Sequence, residues 1–161
     1  MAGEVPRTSI VVRPIDAAQA CIVRAEVLRP HWTPLQCSWP MDDDPRTLHL
    51  GGFIDGKLSG VATFIAEPHE QIGEELRLAR DSMMKLRGMA TRTGFQGTGV
   101  GSAVLSHGMN ELRERGLSHL WCNARMTALH FYEKHGWVTW GEEFDNPPVG
   151  PHIVMWKDLR S

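Results

Sequence analysis

Phe95-Gln96-Gly97-Thr98-Gly99-Val100-Gly101-Ser102 separates two segments of different character. Before it, Leu86-Arg87-Gly88-Met89-Ala90-Thr91 is a short apolar run that suits a buried strand. After it, residues 101–115 read as an amphipathic helix. Gly101, Val104, Leu105, Gly108, Met109 and Leu112 recur at spacings of three and four, Ser102, Ser106, Asn110, Arg113 and Glu114 fall elsewhere, and Gly116 is a C-terminal stop. Three glycines therefore sit where a strand turns into a helix. The first amides of a helix lack partners within it, and the helix dipole places partial positive charge there. Glycine lets the backbone approach a phosphate with no side chain in the way. A tight glycine-rich turn without a ligand is the competing reading.

Two phosphate motifs fail on residues. No Gly-x-x-x-x-Gly-Lys-Ser/Thr string occurs, so there is no P-loop. A dinucleotide fingerprint needs a third glycine where Ser102 stands, and an acid about twenty residues on, at the end of the next strand. That strand, Leu120-Trp121-Cys122-Asn123, ends without one. What fits is Gln/Arg-x-x-Gly-x-Gly/Ala, present as Gln96-Gly97-Thr98-Gly99-Val100-Gly101. This resembles the acyl-CoA pyrophosphate loop of the GNAT-type N-acetyltransferase superfamily. Downstream, Ala128-Leu129-His130-Phe131-Tyr132-Glu133-Lys134-His135-Gly136-Trp137 resembles that family's Ala-x-x-x-Tyr-x-Lys-x-Gly-Phe element, with Trp137 replacing Phe. The tail, Gly141-Glu142-Glu143-Phe144 and then Gly150-Pro151-His152-Ile153-Val154-Met155, is similar to the ElaA-like branch.

The resemblance implies a three-layer α/β fold with a mixed, splayed central sheet flanked by helices. It implies acetyl transfer from acetyl-CoA to a primary amine by direct attack. The amides of Gly97, Thr98, Gly99, Val100, Gly101 and Ser102, with Gln96, would meet the pyrophosphate. The backbones of Met89, Ala90 and Thr91 would meet the pantetheine arm and the acetyl carbonyl as an added strand does. Tyr132, the sole tyrosine, takes the place that donates a proton to the departing sulfur; packing along a helix edge is the alternative. The base is open among His49, Glu67, His152 and water, with His152 the best placed by the tail motif. Where many members carry Asn, seven residues before the tyrosine, this chain has Arg125, with Asn123 nearby. Cys122 reads as core, because direct attack needs no covalent intermediate on the enzyme. A non-catalytic acyl-CoA-binding or sensing module is the rival of the enzyme.

With 161 residues and 42% hydrophobic content, a single domain over 9–161 is expected, behind a loose tail at 1–8. A net charge of -2 gives no basic field for nucleic acid. Cys21, Cys37 and Cys122 have no C-x-x-C spacing and suggest a reducing compartment; no metal is expected. No signal peptide or membrane span is read, so the expected location is cytoplasmic. The expected partner is an amine-bearing acceptor, small molecule or protein, and a homodimer is open. Six tryptophans are expected mostly in the core.

The remaining segments read in order. Ser9–Arg13 suits a strand. Asp16 with Gln19 begins a helix that runs to about Leu28, and Pro30 ends it. Residues 29–47 are proline-rich; the resemblance implies that this region helps shape the acceptor pocket, while Asp42-Asp43-Asp44 by itself reads as a solvated acidic loop over the core. His49–Ile54 and Leu58–Ala66 flank the hairpin signal Asp55-Gly56. Residues 67–83 are ambiguous, with a helical turn at Glu74–Ala79. A helix near Thr127–His135 and strands near 137–144 and 152–157 complete the chain.

Overall fold

The structure, a computed structural model, describes residues 9–161; the tail expected over 1–8 lies outside them. In chain order the elements are β1 (Ile10–Pro14), α1 (Ala17–Leu28), β2 (Leu48–Ile54), β3 (Lys57–Ile65), α2 (Glu70–Leu76), β4 (Met83–Thr91), α3 (Val100–Glu114), β5 (His119–Arg125), α4 (Leu129–Glu133), β6 (Val138–Asn146) and β7 (Gly150–Asp158). The strands form one seven-stranded sheet in the order β1-β2-β3-β4-β5-β7-β6. β1 and β2 run antiparallel, as do β5 with β7 and β6 with β7, whereas β4 and β5 run parallel. This is the mixed, helix-flanked α/β sheet that the residue pattern implies.

Local signals explain several of these elements. Asp16 Oδ1 accepts the Gln19 N–H at 2.7 Å and Gln19 Oε1 accepts the Asp16 N–H at 3.1 Å, a closed capping box at the start of α1. Asp55 and Gly56 both take positive φ, 50° and 79°, which suits a tight turn between β2 and β3. Three expectations change. The ambiguous region holds α2 at Glu70–Leu76, capped by the His69 ring and ended by Arg77 in the left-handed region, so the helical turn lies earlier than Glu74–Ala79. The helix expected near Thr127–His135 is a 3-10 turn at Met126–Ala128 followed by the short α4. Of the tryptophans, only Trp121 and Trp137 are buried, and Trp32 is half exposed.

The chain divides into two compact units. The first comprises the described part of Met1–Asp44 with Leu48–Thr63 and Gly88–His107. Its core gathers Val23 of α1, Val61 of β3 and Ala90 of β4, bordered by Ile15, Val27, Leu28 and Leu58. In the same unit the first turn of α3 lies directly on two glycines. A Cβ at Gly52 would fall 2.5 Å from Val100 Cγ2 and 2.8 Å from Val104 Cγ2, and one at Gly60 3.4 Å from Val100 Cγ1. A side chain at Gly52 would press on the helix start, whereas one at Gly60 would only come into van der Waals contact with it.

The second unit comprises Pro45–Thr47, Phe64–Arg87 and Gly108–Ser161. Its core is Ile72, Met83 and Trp121, with Leu78, Trp140, Val154 and Trp156 around them. Met83–Lys85 of β4 pair with His119–Trp121 of β5, while β7 pairs with β5 along His119–Arg125. Among the described residues no helix is long and apolar enough to cross a membrane.

Candidate active site

In the first unit the end of β4 leads into the glycine turn through a chain of backbone ties. The Arg92 N–H donates to Ser59 O at 2.8 Å, and the Phe95 N–H to Arg92 O at 3.0 Å. The Thr98 hydroxyl donates to Phe95 O and accepts the Val100 N–H at 3.4 Å. The Ala103 N–H reaches Gly99 O at 3.0 Å, opening α3. Gly97 and Gly99 adopt φ of 77° and 89°, a conformation that residues with a Cβ rarely take. A Cβ at Gly97 would meet nothing within 4 Å, and one at Gly99 only Ile10 Cδ1 at 4.0 Å. Gln96, Gly97, Thr98 and Gly99 are exposed, Val100 is buried, and Gly101 and Ser102 are half-buried. The turn thus presents bare backbone to the outside at a helix start, a cradle fit for a phosphate group. Just before it, Ala90 points into the core, and Met89 and Thr91 are half-buried.

The same unit holds a buried polar cluster that the residue pattern did not announce. Arg24 of α1 and Asp42 are 1% and 5% exposed. Arg24 Nη1 donates to Asp42 Oδ2 at 2.8 Å and Nη2 to Oδ1 at 3.0 Å, a bidentate pair. Nη2 also donates to Thr63 Oγ1 at 2.7 Å, and Nη1 to Cys37 O at 3.0 Å. Burial pushes the Asp42 carboxyl up, but hydrogen bonds from Arg24 and the Trp39 N–H outweigh it and hold the group below its ordinary value. Removing one partner of such a pair costs about 3–5 kcal/mol, since the other is left charged and buried. The solvated acidic loop expected at Asp42-Asp43-Asp44 is therefore corrected at its first residue: Asp42 is an anchor, while Asp43 is exposed. His49 belongs to this cluster too. Its Nε2 lies 2.9 Å from Asp42 O and its Nδ1 2.9 Å from Thr63 Oγ1. A carbonyl only accepts, so Nε2 donates to it, and both ring nitrogens are engaged. His49 is accounted for as a structural residue.

In the second unit, Tyr132 stands in α4 with 6% exposure and a hydrogen bond between its hydroxyl and the Cys122 thiol of β5. Burial holds the phenol well above its ordinary value, the Cys122 sulfur pushes the same way, and the Arg125 guanidinium opposes both. Burial likewise pushes the Cys122 thiol up, as befits a core residue rather than a nucleophile. Tyr132 also packs its ring against Trp137 and Phe131, at centroid distances of 5.2 Å each.

His152 of β7 lies opposite Arg125 of β5 in the strand register. Its Nδ1 donates to Gly150 O at 2.8 Å, so in the neutral ring Nε2 carries the lone pair. Its ring stacks on Phe144 at 5.8 Å with an interplanar angle of 29°. Side chains alternate along a strand, so Cys122 and Arg125 leave β5 on opposite faces. Asn123 of β5 is exposed. Glu67, another candidate base, is bound to Lys85 Nζ at 3.2 Å, and that ammonium also lies 4.7 Å from the Trp121 ring centroid. That ion pair leaves the carboxylate occupied.

Comparison with known proteins bears on the family and the fold. The model of the acetyltransferase (GNAT) family matches residues 16–137. The uncharacterized N-acetyltransferase YitI of Bacillus subtilis (strain 168) is 37% identical over 150 residues, covering 93% of this chain and 97% of that protein. Among solved structures, the ribosomal-protein-S18-alanine N-acetyltransferase of Escherichia coli superimposes with a TM-score of 0.72 at 18% identity, covering 94% of each chain. Escherichia coli ElaA does so with a TM-score of 0.71 at 16% identity, covering 93% of this chain and 100% of that one. At those identities the two structures speak for the fold alone. The family model and the close relative together place the chain in the GNAT family of N-acetyltransferases, enzymes that move an acyl group from acyl-CoA to an acceptor.

Proposed function

We propose that the chain moves an acetyl group from acetyl-CoA to a primary amine of a small molecule or protein, by direct attack of the amine on the thioester. The observation that carries this reading is the Gly97–Gly99 turn, whose bare, positive-φ backbone opens onto α3. The amides of residues 97–102 bind the pyrophosphate, with Gln96 at the edge of the turn. The backbones of Met89, Ala90 and Thr91 bind the pantetheine arm and orient the acetyl carbonyl. Bound acetyl-CoA supplies an activated acyl carbon and a thiolate leaving group.

Two proton movements remain for the protein. An alkyl ammonium cannot attack, so its proton must leave first. His152 Nε2, with its lone pair set by the Nδ1–Gly150 hydrogen bond, takes that proton. Tyr132 Oη gives a proton to the departing sulfur, and the second proton that the nitrogen sheds as the amide forms returns to the phenol through water. The experiment is release of free CoA from acetyl-CoA, followed with a thiol reagent across a panel of primary, secondary and tertiary amines. The expected result is saturable release with at least one primary amine and none with tertiary amines. Tight acetyl-CoA binding without release by any amine would instead make the chain a donor-binding protein.

A further inference from the structure

The Arg24–Asp42 pair does more than close a buried charge. Trp39 stands between it and β4. The Trp39 N–H donates to Asp42 Oδ2 at 2.8 Å, so the carboxylate holds the backbone of the tryptophan. The Arg24 guanidinium lies 3.5 Å above the Trp39 ring, so the other partner of the same ion pair holds its face. The ring is thereby fixed at both ends, and its far edge meets β4 at Gly88. A Cβ at Gly88 would stand 2.8 Å from Trp39 Cη2 and 3.2 Å from Arg24 Nε. Gly88 takes φ of 66° in mid-strand, so β4 bends where the ring touches it. Arg24 Nε is buried with no hydrogen-bond partner. Leaving a buried donor unpaired is unfavourable for stability. A guanidinium held there by five other hydrogen bonds is shaped around the ring and the bend, not around its own satisfaction.

We infer that Trp39, clamped by Arg24 and Asp42, is a positioning residue that fixes the bend of β4 at Gly88, and through it the backbone of Met89–Thr91 that orients the thioester end of the donor. The inference rests on the proposed role of that backbone. It separates two halves of the donor: the nucleotide half meets the glycine turn, and the pantetheine half meets the strand that Trp39 holds.

The test uses the whole protein and two ligands in calorimetry, acetyl-CoA and the phosphoadenosine diphosphate that forms its nucleotide half. Trp39→Leu should weaken acetyl-CoA binding by about tenfold or more, roughly 1.4 kcal/mol, while leaving the nucleotide half unchanged. Trp39→Phe keeps a flat ring under the guanidinium and should restore most of the loss. If Trp39→Leu does not fold, Gly88→Ala carries the same test by driving a methyl group against the ring, and must show the same selective loss. A wild-type protein that binds neither ligand would remove the donor site itself. A wild type that binds both, with variants that weaken neither or weaken both alike, would overturn the positioning role and leave the donor site standing.

Discussion

Tyr132 has its hydroxyl on the Cys122 sulfur and its ring between Phe131 and Trp137. A phenol raised well above its usual value is a weak acid toward water, and it stays protonated across the working range of an enzyme. In the proposed reaction the thiolate leaves beside this phenol, where burial destabilises it too, and the two affinities for the proton move together. On that proposal the hydroxyl matters to the departure of sulfur and little to binding. Tyr132→Phe should keep the fold and the acetyl-CoA affinity while turnover falls by roughly 10²–10⁴-fold, measured by CoA release with the best amine found. Loss of affinity with turnover intact would make the hydroxyl a binding group; no change in either would return it to packing. Cys122 was legible as core from its apolar strand, but its contact with Tyr132 was not, because it joins two segments that only the fold brings together.

The element on which the donor reading depends is the start of α3. Its inward stripe was visible in the spacing of Val104, Leu105 and Leu112, all fully buried. What seats the helix was not visible, because Gly52 and Gly60 lie inside strands and carry no turn signal. Gly52 leaves room for Val100 and Val104, and Gly60 lets Val100 come within contact distance. Gly52→Ala should therefore cost about 1–3 kcal/mol in urea unfolding, by overpacking against two β-branched side chains. Gly73 is the control: it lies within α2, a Cβ there meets nothing within 4 Å, and Gly73→Ala should stabilise by roughly 0.5–1 kcal/mol. A harmless Gly52→Ala would mean that the first turn of α3 can shift on the sheet, and with it the glycine turn.

At the scale of the molecule, the features legible in advance were those written in neighbouring residues. The Asp16–Gln19 capping box, the Asp55-Gly56 hairpin and the glycine turn each signal through a few adjacent positions, and the two family motifs multiplied that signal. What stayed hidden was decided across the chain. Asp42, Asp43 and Asp44 are alike locally, and only the reach of Arg24 buries the first of them. The tautomer of His152 follows from one carbonyl two residues back, which spacing alone does not reveal. The central claim, that the backbone of residues 97–102 holds the donor's pyrophosphate, can be read amide by amide. Nitrogen-15-labelled protein titrated with acetyl-CoA, and separately with the phosphoadenosine diphosphate half, should show the amides of Gly97, Thr98, Gly99, Gly101 and Ser102 shifting with both ligands to a common saturation. Saturable binding of either ligand that leaves those amides unmoved would contradict it.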